Sequence, residues 1–201
     1  MHLTLASASP RRAELLRAAG FVVTVEPQDV DESVHPDESP RDYVLRVACE
    51  KVRRACRKSS GVVLGADTTV VVDGEILGKP AGPAEAARML EKLSGREHEV
   101  LTGVAVRDGE REVSAVVGTR VRFLPLLPAD IAWYVSSGEP MGKAGGYAIQ
   151  GLASRFVDGI DGSYTNVVGV PIATVAGLLR ALGRLELGAG GWPPQGARAT
   201  V

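Results

Sequence analysis

The chain has 201 residues, enough for one domain or two small lobes with a sizeable buried core. A net charge of −1 gives no overall attraction to nucleic acid or anionic membrane, and 4% aromatics are too few for a base-stacking platform. No apolar run reaches membrane-spanning length, and no charged n-region leads into an apolar h-region, so neither a span nor a secretory signal is expected.

Strand and helix patterns alternate. Residues 2–6 read as a strand and 10–19 as a helix closed by Gly20. Between them Ser9 reads as the N-cap and Pro10 as the first helical residue. Free backbone N–H groups, the Ser7 and Ser9 hydroxyls and the guanidinium groups of Arg11 and Arg12 then crowd one helix start. That suits an anion with several oxygens, such as a phosphate chain. An ordinary capped helix with solvated arginines is the other reading. Residues 22–26 form a second strand, and 27–39 an acidic loop carrying Asp29, Asp31, Glu32, Asp37 and Glu38. Most of these read as solvated charge, though one or two can complete a metal site.

Ser39-Pro40 opens a helix expected to reach about Lys58. Val44, Val47 and Ala48 mark its inner face, and Lys51 continues that face. Such a lysine either snorkels outward or points at a buried anion. Arg46, Arg53, Arg54, Arg57 and Lys58 read as the solvated face. Cys49 and Cys56 lie seven apart, so they form no CxxC pair and read as small apolar residues in a reducing cytoplasm.

Val62–Ala66 is a continuous apolar strand, with Asp67 expected at its carboxyl end. Ligands in open α/β sheets bind at such ends. The carboxylate can hold a cation or orient a water, or simply cap a turn. Thr68 and Thr69 follow, both able to donate to a ligand. Thr68–Val72 and Glu75–Leu77 flank an Asp73-Gly74 hairpin signal. Lys79 precedes Pro80 and reads either as an exposed loop lysine or as a point charge for a phosphate.

Pro83 opens a helix to about Leu93, and residues 97–107 and 110–124 read as strands around Asp108-Gly109. The stretch 97–137 can supply a second lobe, leaving a cleft between lobes. Pro128–Ser137 reads as a helix and 138–166 as glycine-rich loops and short strands. Within it GEPMGKAGGYAIQG lets backbone approach a ligand closely, and Gln150 can both donate to and accept from a nucleobase edge. A tight structural crossover explains the same glycines. Tyr164 and Asn166 read as helix entry, and Pro171–Leu182 as the last helix. The tail from residue 188 reads as disordered, leaving 1–187 as the folded domain. His2, His35 and His98 have no metal-ligand spacing, and no Walker A, GxGxxG or GxSxG motif is present.

Taken in order, LASASPRRAELL, DES near residue 32, EKVRRA, GADTTVVVDGEILGKP, EKLSGREHEVLTGVAV and GEPMGKAGGYAIQGLASRFVDGIDGSYTNVVGVPI resemble the Maf (septum-formation-inhibitor-like) family of nucleoside triphosphate pyrophosphatases. The resemblance spans residues 3–172. It implies an α/β fold with a mixed twisted sheet, flanking helices and two lobes around a cleft, similar to inosine triphosphate pyrophosphatases, and a homodimer. It implies hydrolysis of a nucleoside triphosphate to monophosphate and pyrophosphate with a divalent cation, Mg²⁺ or Mn²⁺. The family's motif residues map onto Ser7, Arg11, Arg12, Glu32, Lys51, Asp67, Lys79 and Gln150. Asp67 corresponds to the proton acceptor, with Asp67 and Glu32 expected to hold the cation. Arg11, Thr68 and Gln150 correspond to the substrate-selecting positions and are similar to those of the subgroup acting on dTTP and UTP. Gly142 departs from the aspartate many relatives carry. A house-cleaning hydrolase for modified bases, or a non-catalytic nucleotide-binding regulator of cell division, are the competing expectations.

Overall fold

The computed structural model describes residues 1–56 and 61–185. Strand β1 (His2–Leu5) leads through helix α1 (Pro10–Ala18) to β2 (Val22–Val25), which pairs with it in parallel. Helix α2 (Pro40–Ala55) then crosses to β3 (Val62–Val72), parallel to β1 on its other side. The chain turns back as β4 (Glu75–Leu77), runs through α3 (Pro83–Leu93), and makes the long antiparallel pair β5 (Glu97–Asp108) and β6 (Arg111–Phe123). Helix α4 (Pro128–Ser136), two 3₁₀ turns, β7 (Val157–Asp161), α5 (Tyr164–Val168) and α6 (Ile172–Ala181) complete it. The seven strands form one mixed sheet in the order β2-β1-β3-β5-β6-β7, with β4 against β3.

This is the mixed α/β sheet with flanking helices that the alternating pattern predicts. Asp73 and Gly74 both take positive φ, 52° and 79°, as a two-residue I′ hairpin requires. The second hairpin is offset by one residue. Asp108 pairs with Arg111, so the loop is Gly109–Glu110. Ser9 occupies the N-cap of α1, but its side chain makes no capping bond; Ser7 Oγ instead accepts from the Ser9 N–H at 3.3 Å. Helix α2 ends at Ala55, and the expected extension to Lys58 and the tail from residue 188 run into residues outside those described. Among the described residues no helix is long and apolar enough to cross a membrane.

Side chains alternate across the long strands. On one face Leu64, Ala66, Val104 and Val106 join Leu3, Leu16, Val175 and Leu179 in one apolar cluster. Further along the same face Val70, Val72, Val100 and Val121 join Leu90, Phe123, Tyr134 and Phe156 in another. Thr68 and Thr102 occupy the positions between the clusters, so a polar belt separates two cores that share one sheet. The 97–137 stretch contributes strands to both. The opposite face carries α2, packed on Val63, Ala105 and Leu101. Gly65 and Gly103 permit that contact. A Cβ on either would lie 2.5 Å from the Ala48 carbonyl oxygen or 2.1 Å from that of Val44.

Candidate active site

The site forms where one edge of β3 loses its partner. β1 covers that edge only as far as Leu64, and β4 covers it again from Val70. On the other edge β5 pairs without interruption, with Asp67 opposite Gly103. Asp67 is therefore not at a strand end as the sequence suggested. β3 continues to Val72 because β5 still carries its ladder, and what ends there is β1. The chain leaving β1 supplies Ser7 to Arg12 to one side of the gap, and the chain leaving β4 supplies Lys79 to the other.

A cleft of about 320 Å³ opens over this gap. Ser7, Arg11, Arg12, Glu32, Lys51, Asp67, Thr68, Lys79 and Gln150 all line it. Residues spread over 144 positions of sequence thus converge on one space. Lys143, Tyr147, Gln28 and the apolar Val70 and Val100 complete the walls.

Lys51 does not snorkel. It is 5% exposed, and its Nζ donates to Asp67 Oδ1 at 2.8 Å and pairs with Glu32 Oε1 at 2.7 Å. Lys79 Nζ donates to the other Glu32 oxygen at 3.0 Å. Burial opposes the ionisation of Glu32, but the hydrogen bonds and charges of Lys51 and Lys79 prevail and hold its pKa at about 2. Two carboxylates and two ammonium groups alternate along one wall.

Arg12 is turned inward, 8% exposed. Its Nε donates to the Gly169 carbonyl at 2.7 Å, Nη1 to Ser7 Oγ and the Ala66 carbonyl at 2.8 Å each, and Nη2 to Thr68 Oγ1 at 3.0 Å. The Ala66 carbonyl belongs to the uncovered edge of β3, so the guanidinium takes the place of a missing strand there. Burial draws its pKa below the ordinary arginine value, against the pull of Asp67. Thr68 Oγ1 lies 2.9 Å from Thr102 Oγ1, and Thr102 donates to the Asn166 carbonyl at 3.3 Å. Asn166 is fully buried and donates to the Val100 carbonyl and Thr119 Oγ1, both at 3.0 Å.

The loop bearing Gln150 is tied at its base. Glu139 accepts from the Tyr134 hydroxyl at 2.9 Å and from the Leu152 N–H at 3.0 Å, while the Ala148 N–H donates to the Tyr134 oxygen at 3.2 Å. The Gly145 N–H donates to the Gly78 carbonyl at 3.0 Å, which joins this loop to the segment bearing Lys79. Tyr147 is buried, and its hydroxyl lies 2.8 Å from His98 Nε2. His98, to which the sequence assigned nothing, thus supports a wall of the cleft.

Arg46 corrects the sequence reading. It is not a solvated arginine: its side chain is 18% exposed and folds over the acidic loop. Cys49 and Cys56 are free thiols, the first buried and the second half-buried. The glycines at 65 and 103 were the overlooked sequence signal, because a glycine inside a strand pattern marks close approach of another backbone.

Fold and cleft together define an α/β protein whose charged pocket is built from paired carboxylates and lysines at a break in a sheet edge. The family model described as "Maf-like protein" matches residues 2–182, and the chain belongs to this family. It is 54% identical over 203 residues to the "dTTP/UTP pyrophosphatase" of Anaeromyxobacter sp. (strain Fw109-5), covering 98% of each chain. It is 50% identical over 188 residues to the protein of that name from Geotalea uraniireducens, covering 92% of this chain and 97% of the relative. Among solved structures, the "Nucleoside-triphosphatase / dITP/XTP pyrophosphatase" of Mycobacterium abscessus aligns with a TM-score of 0.43 at 20% identity, over 61% of this chain and 74% of that one. The Staphylococcus aureus Ham1 protein aligns with a TM-score of 0.46 at 14% identity, over 61% and 72%.

Proposed function

We propose that this chain hydrolyses nucleoside triphosphates, dTTP and UTP in particular, to the monophosphate and pyrophosphate. The observation that carries the reading is the Lys51 ammonium held between Asp67 and Glu32 in a cleft also lined by Arg11, Lys79 and Lys143. Near full-length relatives bearing the name dTTP/UTP pyrophosphatase support the substrate.

Asp67 accepts the proton of a water that attacks the α-phosphorus. The bond from that phosphorus to the α,β-bridging oxygen breaks, and pyrophosphate leaves with the bonding electron pair. Lys51 orients the Asp67 carboxylate. Arg11, Lys79 and Lys143 offset charge on the phosphoryl oxygens, which is where most of the barrier in phosphoryl-type transfer is lowered. Arg12 acts through the backbone it braces and through Ser7 and Thr68. Gln150 and Thr68 present donors and acceptors to the pyrimidine edge.

Asp67 and Glu32 fit a divalent cation, Mg²⁺ or Mn²⁺: both are carboxylates, and both turn an oxygen to the same ammonium. Among the described residues no cluster of three or more metal-ligating side chains is found, so phosphate oxygens and water would fill the remaining positions. Such a cation, when bound, neutralises phosphate charge and acidifies water. A homodimer and a cytoplasmic location belong to the same reading, on the strength of the family.

The test is a panel of nucleoside triphosphates assayed for pyrophosphate and orthophosphate separately, with Mg²⁺ and Mn²⁺ varied. Pyrophosphate release with dTTP and UTP preferred is expected. Orthophosphate release overturns the reaction, binding without turnover favours a regulator, and preference for a modified base favours the house-cleaning alternative.

A further inference from the structure

Glu32 lies in the loop between β2 and α2, outside any strand or helix, and its side chain meets Lys51 and Lys79. The backbone on either side is held from α2. Arg46 Nη1 donates to the Asp31 carbonyl at 3.2 Å, and Nη2 to the Ser33 carbonyl at 2.8 Å. The Tyr43 hydroxyl donates to the carbonyl between them, that of Glu32, at 3.1 Å. Three consecutive carbonyls are therefore taken by two side chains one turn apart on α2.

The guanidinium is itself fixed in plane. Glu38 grips it by both oxygens, from Nε at 2.6 Å and from Nη2 at 2.9 Å. Glu38 Oε2 also accepts from the His35 N–H at 3.1 Å, and the Ser33 N–H donates to Asp31 Oδ1 at 2.8 Å. Glu50 meets Arg46 one turn further along α2 at 3.4 Å, and the guanidinium lies 5.8 Å from the Tyr43 ring centre. The five N–H donors of the guanidinium make all five of these bonds, gripping both Glu38 oxygens while still serving two carbonyls and Glu50, whereas an ammonium has only three donors and no planar fork. Arg46 does not line the cleft.

We propose that Arg46 is a positioning residue that latches the 31–38 loop to α2 and so holds Glu32 ready in the site before substrate arrives. The proposal rests on the reading of this cleft as a triphosphate hydrolase. It makes the loop a pre-set wall of the site rather than a lid that closes on the ligand.

The test is a cycle of Arg46→Ala and Glu32→Gln, with Arg46→Lys beside it. It is read in kcat/KM for dTTP and in affinity for a non-hydrolysable α,β-methylene analogue. Arg46→Ala is expected to lower kcat/KM at least about tenfold in the wild-type background and by less than about twofold when Glu32 is already Gln. Arg46→Lys is expected to rescue poorly, because it lacks the fork. Hydrogen exchange of the amides from 29 to 38 is expected to quicken in Arg46→Ala while α2 stays protected. An equal loss in both backgrounds, or unchanged exchange in the loop, overturns the latch. Should the wild-type protein release no pyrophosphate, the functional reading falls by itself, and the exchange measurement still decides whether Arg46 holds the loop.

Discussion

Gly103 lies opposite Asp67 across the β3–β5 ladder, and its missing side chain is what lets α2 come down far enough for Lys51 to reach that carboxylate. The pair is set by backbone approach. Asp67 is held by the sheet, Lys51 by the helix, and the glycine determines the distance between the two layers.

Gly103→Ala is accordingly expected to disturb the site through packing. The new Cβ would fall 2.1 Å from the Val44 carbonyl oxygen, which is backbone and cannot rotate away. Forced overpacking of this kind costs about 1–3 kcal/mol. Thermal unfolding should show the loss, and dTTP turnover should fall further than the change in folded fraction explains. A variant with normal turnover and normal stability would show that the layers can separate without cost.

Asp67→Asn keeps the shape of the side chain and removes the proton acceptor. Pyrophosphate release is expected to drop about 10²-fold or more, the range for a positioned acid–base group. The melting temperature should change little, since Lys51 retains Glu32 as a partner. Near-normal turnover would take the base role away from Asp67.

Gln150→Glu is expected to change base preference while the fold survives, because Gln150 is exposed on the cleft rim and no ladder depends on it. Its amide both donates and accepts, whereas the glutamate carboxylate only accepts, so the match to a base edge changes with the substitution. Relative kcat/KM for dTTP, UTP and GTP measures this. Identical ratios in wild type and variant would remove Gln150 as a reader.

His98 makes stability depend on pH in a defined window. Burial pushes its pKa from 6.5 down to about 4. Between those values the unfolded chain binds a proton that the folded chain refuses, so stability is complete above about 6.5 and declines as the pH falls. At pH 5 the loss should be about 2 kcal/mol. Urea unfolding at pH 7 and pH 5 should therefore show a steeper decline in wild type than in His98→Gln, which keeps a polar partner for Tyr147. Parallel declines would mean that another group governs the acid side.

Much of the fold was legible in the chain. Continuous apolar runs, the Asp73-Gly74 turn and prolines at helix starts marked most of the strands and helices, though β3 was read as stopping before Asp67 and β7 and α5 were not separated from the 138–166 loops. The side chains of the cleft were legible as chemical types in telling positions: Lys51 on an apolar helix face, Asp67 after an apolar strand, Gln150 among glycines. Their meeting was not, and neither was Arg46, whose place on α2 looked like that of any solvated arginine.

Local pattern sets whether a segment becomes strand or helix, because backbone sterics and side-chain periodicity act over a few residues. The sequence by itself therefore determined the elements, the inner face that carries Lys51 and the candidate set of charged groups. Only the tertiary structure decided that β3 runs past Asp67, that its edge stands open between β1 and β4, and that Arg12 faces the backbone. The same is true of Arg46 holding the loop that presents Glu32. Each of these depends on which strand lies beside which and how closely a helix approaches, and those distances are fixed by contacts between residues far apart in the chain.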